Sequence, residues 1–276
     1  MTGAGGPLAG LKVVVTRPRA QAGDLIALLE DRGARVVVFP TIEIGAPSSW
    51  APLDRAIEGL AEGRYQWVLF SSVNGVAGFF ERVRAAGKDG GVLGRCSVAA
   101  VGPQTAAALA ARGAAAGLVP ERFTAEDLAA ALGRGPGRVL LPRAEGAPQH
   151  VIDALKESGF SPEAVPAYRT LPARPEAGKT AQLKRGDFDV VTFTSASTVK
   201  GFLDLLGRPE ALGLSGAPAA SRAGKVVGCI GPRTAEAARA LGVRVDVVAR
   251  DHTAEGLVAA LEVCLASVRQ ESSLRR

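Results

Sequence analysis

The sequence predicts an α/β protein of two lobes, each a parallel sheet with helices on both faces. Three observations carry this. Short β-branched runs alternate with Ala/Leu-rich amphipathic segments, several runs are continuously apolar, and the whole pattern occurs twice. Continuous apolar strands separated by helices mark parallel sheet covered on both sides.

Strands are predicted at Lys12–Thr16, Arg35–Pro40, Trp67–Phe70, Ser97–Val101, Arg138–Leu141, Glu163–Ala167, Asp189–Phe193, Lys225–Ile230 and Arg244–Val248. Almost every one is followed by a helix-length amphipathic segment. The triplets Val13–Val15 and Val36–Val38 read as strands buried on both faces.

The repeat is visible in short motifs. Val68-Leu69-Phe70-Ser71-Ser72 resembles Val191-Thr192-Phe193-Thr194-Ser195. Gly102-Pro103-Gln104-Thr105 and Thr124-Ala125-Glu126 return 129 positions later, as Gly231-Pro232-Arg233-Thr234 and Thr253-Ala254-Glu255. Thr16-Arg17-Pro18 and Phe39-Pro40 are echoed 126 positions on, by Pro142-Arg143-Ala144 and Val165-Pro166. The order is therefore A, B, A′, B′, where A is strand–helix–strand and B is three strand–helix steps. One A plus one B makes a five-stranded sheet of flavodoxin-like size. Either A packs with B and A′ with B′, or the pairs cross. Crossing requires the chain to change lobes twice just after an A-type unit, and Pro40–Pro47 and Tyr168–Pro175 offer proline-bearing passages there. The crossed reading is preferred. It gives lobe 1 as residues 1–42 plus 173–276, lobe 2 as 45–168, and crossings at 40–47 and 168–175.

A chain of 276 residues has room for two domains, and 47% hydrophobic with 22% charged residues is ordinary globular composition. Lys plus Arg (33) exceeds Asp plus Glu (27), and the pI near 9.6 points to an acidic partner, although the Arg- and Ala-rich composition that a high-GC genome produces gives the same balance. Cys96, Cys229 and Cys264 are far apart and form no metal-binding pattern, so they read as buried free thiols of a reducing compartment. With only His150 and His252, both read as solvated, no metal site is expected. Met1–Pro7 lacks the character of a leader, no apolar stretch suits a bilayer, and the expected location is the cytoplasm. Disorder is expected in the first few residues and at Glu271–Arg276, and Arg208–Gly224 reads as a solvent-exposed loop.

Familiar catalytic patterns are missing. Gly5–Gly10 before Lys12 lacks Gly-Lys-Ser/Thr and precedes a strand, whereas a phosphate loop follows one. No strand leads into GxGxxG, and no Ser/His/Asp set exists. Ligands of open α/β sheets bind beyond the carboxyl ends of the strands. The residues there are Arg17, Ser71, Ser72, Gly102, Thr105, Arg143, Thr194, Ser195, Ser197, Gly231 and Thr234. Helix capping accounts for any single one. It accounts less well for so many tips that combine hydroxyls with open backbone N–H groups, a good receptor for carboxylate or phosphate. Arg17 and Arg143 would add charge-assisted contacts. Tyr168, one of only two tyrosines, falls at a lobe crossing, where it would face the cleft between lobes.

With these motifs in order, the chain resembles the uroporphyrinogen-III synthase family over nearly its whole length. The resemblance rests on Val13–Pro18 with Gln21, Leu25 and Gly33; on Phe39–Ile42; on Trp67–Asn74; on Ala100–Thr105; on Pro166–Thr170; and on Gly231–Thr234. It implies two lobes joined by a two-stranded linker, the first discontinuous. It implies cyclisation of linear hydroxymethylbilane, with inversion of the fourth ring, to uroporphyrinogen III and water, without a cofactor. In the family's scheme the hydroxyl leaves to give an azafulvene cation, and the fourth ring attacks to form a spiro intermediate. Fragmentation and reclosure then invert that ring. By position Tyr168 would assist hydroxyl departure. Thr105 and Thr234 would bind carboxylates, with Ser71, Ser72, Thr194, Ser195 and Ser197 as further contacts. The implied partner is the polycarboxylate tetrapyrrole, with a transient contact to the preceding bilane-forming enzyme. A monomer is expected, with neither nucleic acid nor membrane as partner. The rival is a non-catalytic sensor of tetrapyrrole or another acidic ligand on the same fold. A nucleotide- or sugar-binding two-lobed protein is a further alternative.

Overall fold

The computed structural model describes residues 6–120, 125–216 and 224–274. Met1–Gly5, Thr124 of the repeated motif, 217–223 of the expected loop and the last two residues of the tail lie outside the described residues.

Ten strands are described: β1 (Lys12–Val15), β2 (Arg35–Val38), β3 (Ile42–Gly45), β4 (Trp67–Phe70), β5 (Ser97–Ala100), β6 (Arg138–Ala144), β7 (Ser161–Pro172), β8 (Val190–Phe193), β9 (Val226–Cys229) and β10 (Val247–Val248). The helices are α1 (Gly23–Glu30), α2 (Ala51–Ala61), α3 (Val73–Ala85), α4 (Pro103–Ala110), α5 (Ala125–Leu132), α6 (His150–Glu157), α7 (Ala177–Lys184), α8 (Ala196–Leu206), α9 (Pro232–Ala240) and α10 (Ala254–Leu274). The chain divides into two compact units, Met1–Glu43 with Leu171–Arg276 (unit 1) and Ile44–Thr170 (unit 2).

Unit 1 holds a sheet in the order β10-β9-β8-β1-β2 and unit 2 a sheet in the order β3-β7-β6-β4-β5. The first sheet thus joins the opening strand–helix–strand unit to the closing strands of the chain. The ladders from β2 to β10 and from β7 to β5 are parallel. Their registers repeat. Lys12 faces Arg35 in unit 1, and Arg138 faces Ser161 in unit 2, each 126 positions on. Gly228 faces Val247, and 129 positions earlier Ala99 faces Leu118. That last contact is an isolated bridge, so the third strand expected in B is reduced to a single pair.

Both faces of each sheet are buried, because successive strand residues point to opposite sides. In unit 1, Val13 and Val15 pack with Leu25 and Leu29 of α1 and Leu257, Val258 and Leu261 of α10. Val14 points the other way, to Phe202 of α8, Ala235 of α9 and Leu183 of α7. In unit 2, Val68 and Phe70 pack under α2 and α3, while Leu69 meets Leu128 of α5 and Leu155 of α6. Even an aromatic pair is duplicated. Phe70–Phe79 meet edge-to-face at 5.3 Å and Phe193–Phe202 at 5.4 Å, all four shifted by 123 positions (70 to 193, 79 to 202).

Several expectations are corrected. Val36–Val38 are only half-buried, because β2 is an edge strand. Ile42–Gly45, placed in a passage, is strand β3, and β6 and β7 run several residues longer than expected. The strand expected from Arg244 starts only at Val247. Side chains replace its first ladder bonds: Asp246 accepts from the Val227 N–H at 2.8 Å and pairs with Arg244 at 3.0 Å. Arg244 also donates to the Ser215 and Lys225 carbonyls. The described part of the 208–224 loop is largely exposed, as expected, but is anchored by buried Pro209, Leu212 and Leu214, and the expected tail disorder gives way to α10 through Leu274. His252 is half-buried against Gly231, not solvated. Only Cys229 is fully buried; Cys96 and Cys264 are half-buried.

Two glycines set the seating of α3 and α8. A Cβ on Gly78 would run into the carbonyl oxygen of Ala167, and one on Gly201 would sit 2.6 Å from the carbonyl oxygen of Thr41. Both contacts are backbone on backbone and cannot yield by a rotamer change. Gly78→Ala is therefore expected to cost about 1–3 kcal/mol of stability, read as a lower urea midpoint at unchanged slope. Burial pushes the Cys229 thiol up to about 12 and Cys96 to about 11. The thiolate is the reactive form, so a thiol reagent at neutral pH is expected to leave Cys229 unmodified until the protein is unfolded.

Candidate functional site

The ladders decide which tips are neighbours. In unit 1 the parallel strands β1, β8 and β9 are adjacent, so Arg17, the Thr194–Ser197 turn and Gly231–Thr234 emerge side by side at one sheet end. In unit 2, β7, β6, β4 and β5 bring Tyr168, Arg143, Ser71–Ser72 and Gly102–Thr105 together in the same way. Every residue singled out above thus falls into one of two constellations, one per unit. Each spans the point where the strand order reverses, β1/β8 or β6/β4, where ligands of such sheets bind.

Four helices start at these tips. Ser72 caps α3 by accepting from Gly75 N–H at 3.0 Å, and Ser195 caps α8 in a reciprocal box with Thr198. At α4 and α9 the cap is Gly102 or Gly231, with no side-chain cap, and proline takes the first helical position. Thr105 and Thr234 lie in these first turns and are 5% and 6% exposed. The two glycines serve different needs. Gly102 has a φ of 114°, open to glycine alone, whereas Gly231 is extended and leaves room for the His252 ring, which a Cβ would approach to 3.0 Å.

The two arginines are partly desolvated, and burial lowers the pKa of each. Asp24 partly offsets this at Arg17. Arg143 donates one guanidinium N–H to the Pro148 carbonyl, while its Nη1 is buried without a hydrogen-bond partner. A guanidinium with a free, buried N–H is a ready receptor for a carboxylate. Tyr168 is half-buried. Its hydroxyl lies 3.2 Å from Ser72 Oγ, and a bulge in the β6–β7 ladder between Arg143 and Ala144 sets its register. Ser71 and Ser197 are exposed, and Thr194 and Ser195 are half-buried.

The units differ below the tips. In unit 1, Thr16 Oγ1 donates to the Thr192 carbonyl (2.7 Å), Thr192 Oγ1 to Val14 (2.9 Å) and Thr41 Oγ1 to Thr198 (3.0 Å). At the repeat positions unit 2 has Pro142, Leu69, Ala167 and Gly75. Sequence reading missed this threonine lattice and the role of Gly75. The signal was there, in the mismatches of the repeat rather than in its matches.

The protein is thus a two-unit α/β protein whose strand tips carry paired capped and uncapped helix starts, hydroxyls and two half-buried arginines. The comparisons with known proteins sharpen this. The family model described as uroporphyrinogen-III synthase HemD matches residues 23–259. A curated uroporphyrinogen-III synthase of Synechococcus elongatus is 34% identical over 260 residues, covering 93% of this chain and 96% of that one. The porphyrin biosynthesis protein HemD of Ruminiclostridium josui is 32% identical over 91% of this chain, which spans 48% of its length. Among solved structures, a mutant uroporphyrinogen III synthase from Thermus thermophilus superposes with a TM-score of 0.66 at 24% identity, covering 96% of this chain and 99% of that one. The Helicobacter pylori uroporphyrinogen-III synthetase gives 0.55 at 16%, covering 93% and 99%. Both are likenesses of fold. The chain belongs to the uroporphyrinogen-III synthase family.

Proposed function

We propose that the protein cyclises hydroxymethylbilane, with inversion of the fourth pyrrole ring, to uroporphyrinogen III and water. The observation that carries this is the family match over residues 23–259, with a synthase relative aligned nearly end to end. The chemistry of the tips fits it. The substrate is a flexible chain bearing eight carboxylates, and the reading gives those carboxylates to uncapped amides at α4 and α9, to Thr105 and Thr234, and to Arg17 and Arg143. Ser71, Thr194, Ser195 and Ser197 supply further hydroxyl contacts, and the glycines Gly102 and Gly231 let the substrate approach the backbone.

The reaction asks for little from side chains. Loss of the hydroxyl needs a proton, and the resulting cation is stabilised by its own pyrrole. The demand is to hold the chain so that the substituted carbon of the last ring attacks. Positioning of this kind contributes up to about 7–11 kcal/mol and a general acid about 10²–10⁴-fold. Tyr168 is the proton donor in this reading, the one strongly polar group that unit 2 has and unit 1 lacks at the matching position. The reading extends to a cytoplasmic monomer that needs no cofactor and touches the preceding bilane-forming enzyme in passing. Among the described residues no helix is long and apolar enough to cross a membrane.

The test uses purified protein with hydroxymethylbilane generated in situ, and separates the porphyrin isomers after oxidation. Type III product, catalytic in protein and independent of added cofactor, is the expected result. Type I product at the spontaneous rate would instead favour a tetrapyrrole-sensing module. In the same assay Tyr168→Phe is expected to lower kcat by about 10²-fold or more with folding intact, the low end of a general acid's contribution. Thr105→Ala and Thr234→Ala are expected mainly to raise KM; unchanged KM in both would reduce these tips to helix starts.

A further inference from the structure

The duplication allows each tip residue to be compared with its counterpart, and one position stands apart. Tyr168 corresponds to Ile42 (126 positions apart), and Gly75 corresponds to Thr198 (123 apart). The helix-capping serines, Ser72 and Ser195, correspond to each other by the same 123 positions. In unit 1 the Ser195 cap is closed by Thr198, whose hydroxyl is committed to Ser195. In unit 2 no side chain can take that role. A Cβ on Gly75 would come within 2.7 Å of the Pro142 carbonyl oxygen and 3.3 Å of Ser72 Oγ. Glycine at 75 therefore lets the first turn of α3 rest on the end of β6. It also leaves one side of Ser72 open, and Tyr168 takes that side at 3.2 Å.

We propose that Ser72 is a positioning residue for Tyr168 rather than a substrate contact, and that Gly75 is the substitution that made room for it. The hydrogen bonds allow the arrangement this role requires. Ser72 Oγ accepts from Gly75 N–H at 3.0 Å and so has its own proton to donate. It donates to the Tyr168 oxygen, which turns the phenolic O–H outward, toward the leaving hydroxyl. When that proton is transferred, the carbon–oxygen bond breaks and water departs. The phenolate left behind keeps the Ser72 donor, which is stronger toward an anion than toward a phenol. The proton released when the newly bonded pyrrole regains its aromaticity restores the phenol, so protons balance over the cycle. Arg143 stands on the adjacent strand, paired in the same ladder. Unit 1, with Ile42 and a closed cap, binds without taking part in proton transfer.

The inference rests on Tyr168 as the proton donor, and the experiment separates the two. Ser72→Ala, Tyr168→Phe and the double variant are compared in the isomer assay. Ser72→Ala is expected to lower kcat about tenfold, the size of one charge-assisted hydrogen bond, with KM within about twofold. Ser72→Thr, which retains cap and hydroxyl, should restore kcat. In the Tyr168→Phe background Ser72→Ala should have no further effect on kcat. An equal loss in both backgrounds, or a rise in KM alone, would overturn the positioning role while leaving Tyr168 in place. Full kcat in Tyr168→Phe would remove the underlying assignment.

Discussion

The strand tips depend on two helices lying directly on backbone. Gly78 of α3 touches the Ala167 carbonyl, and Gly201 of α8 approaches that of Thr41. Without a side chain between them, each helix starts close against its own sheet. The capping serines Ser72 and Ser195 thereby stand at the reversal point of the strand order. A methyl group at either glycine would lift the helix start away from the strand ends, and every distance at the tip would change with it. The buried phenylalanine pairs Phe70–Phe79 and Phe193–Phe202, whose helix members directly follow these glycines, hold the same two helices to their strands.

Much of this was legible in the sequence because it is a matter of period and repetition. The valine triplets, the apolar runs and the recurring Gly-Pro-x-Thr motif located the sheets, and nine strands fell close to their predicted places. What escaped had physical reasons. β3 has only the short pattern Ile42-Glu43-Ile44-Gly45 inside a proline-bearing passage, with no run of its own to announce it. β10 is cut short because a buried Arg244–Asp246 pair takes over backbone bonds that a strand would make, and side-chain substitution for a ladder leaves no trace in hydropathy. The tip residues were found as types, hydroxyls and arginines after strands. Which of them touch each other was not, since the Ser72–Tyr168 contact joins residues whose proximity follows from sheet order, and its enabling residue, Gly75, carries no chemistry of its own.

Duplication is usually read for what it keeps. Here the departures tell more. In unit 1 the buried hydroxyls of Thr16, Thr192 and Thr41 each donate to a backbone carbonyl, of Thr192, Val14 and Thr198 in turn. At the counterpart positions unit 2 has Pro142, Leu69, Ala167 and Gly75, and it carries the phenol of Tyr168 where unit 1 has Ile42. The same scaffold thus carries one tip stiffened from within and another whose polar groups face outward. Arg17 and Arg143 occupy matching positions, as do the Gly-Pro helix starts, so on the proposed reading anion binding is common to both units and proton transfer is confined to unit 2.

The sheet order also fixes a timetable. Unit 2 is a continuous stretch of chain, Ile44–Thr170, whereas β1 of unit 1 takes its second neighbour from β8, at Val190–Phe193. During synthesis the whole of unit 2 has been made before that neighbour exists. Until then the Val13–Val15 strand has only β2 beside it, with its other edge unpaired. Closing it requires bringing together segments more than a domain's length apart, a non-local step of the kind that slows folding. The nascent chain therefore carries an open, valine-rich edge for as long as the ribosome needs to deliver β8, and this is the interval in which strand-to-strand association between copies is most to be avoided.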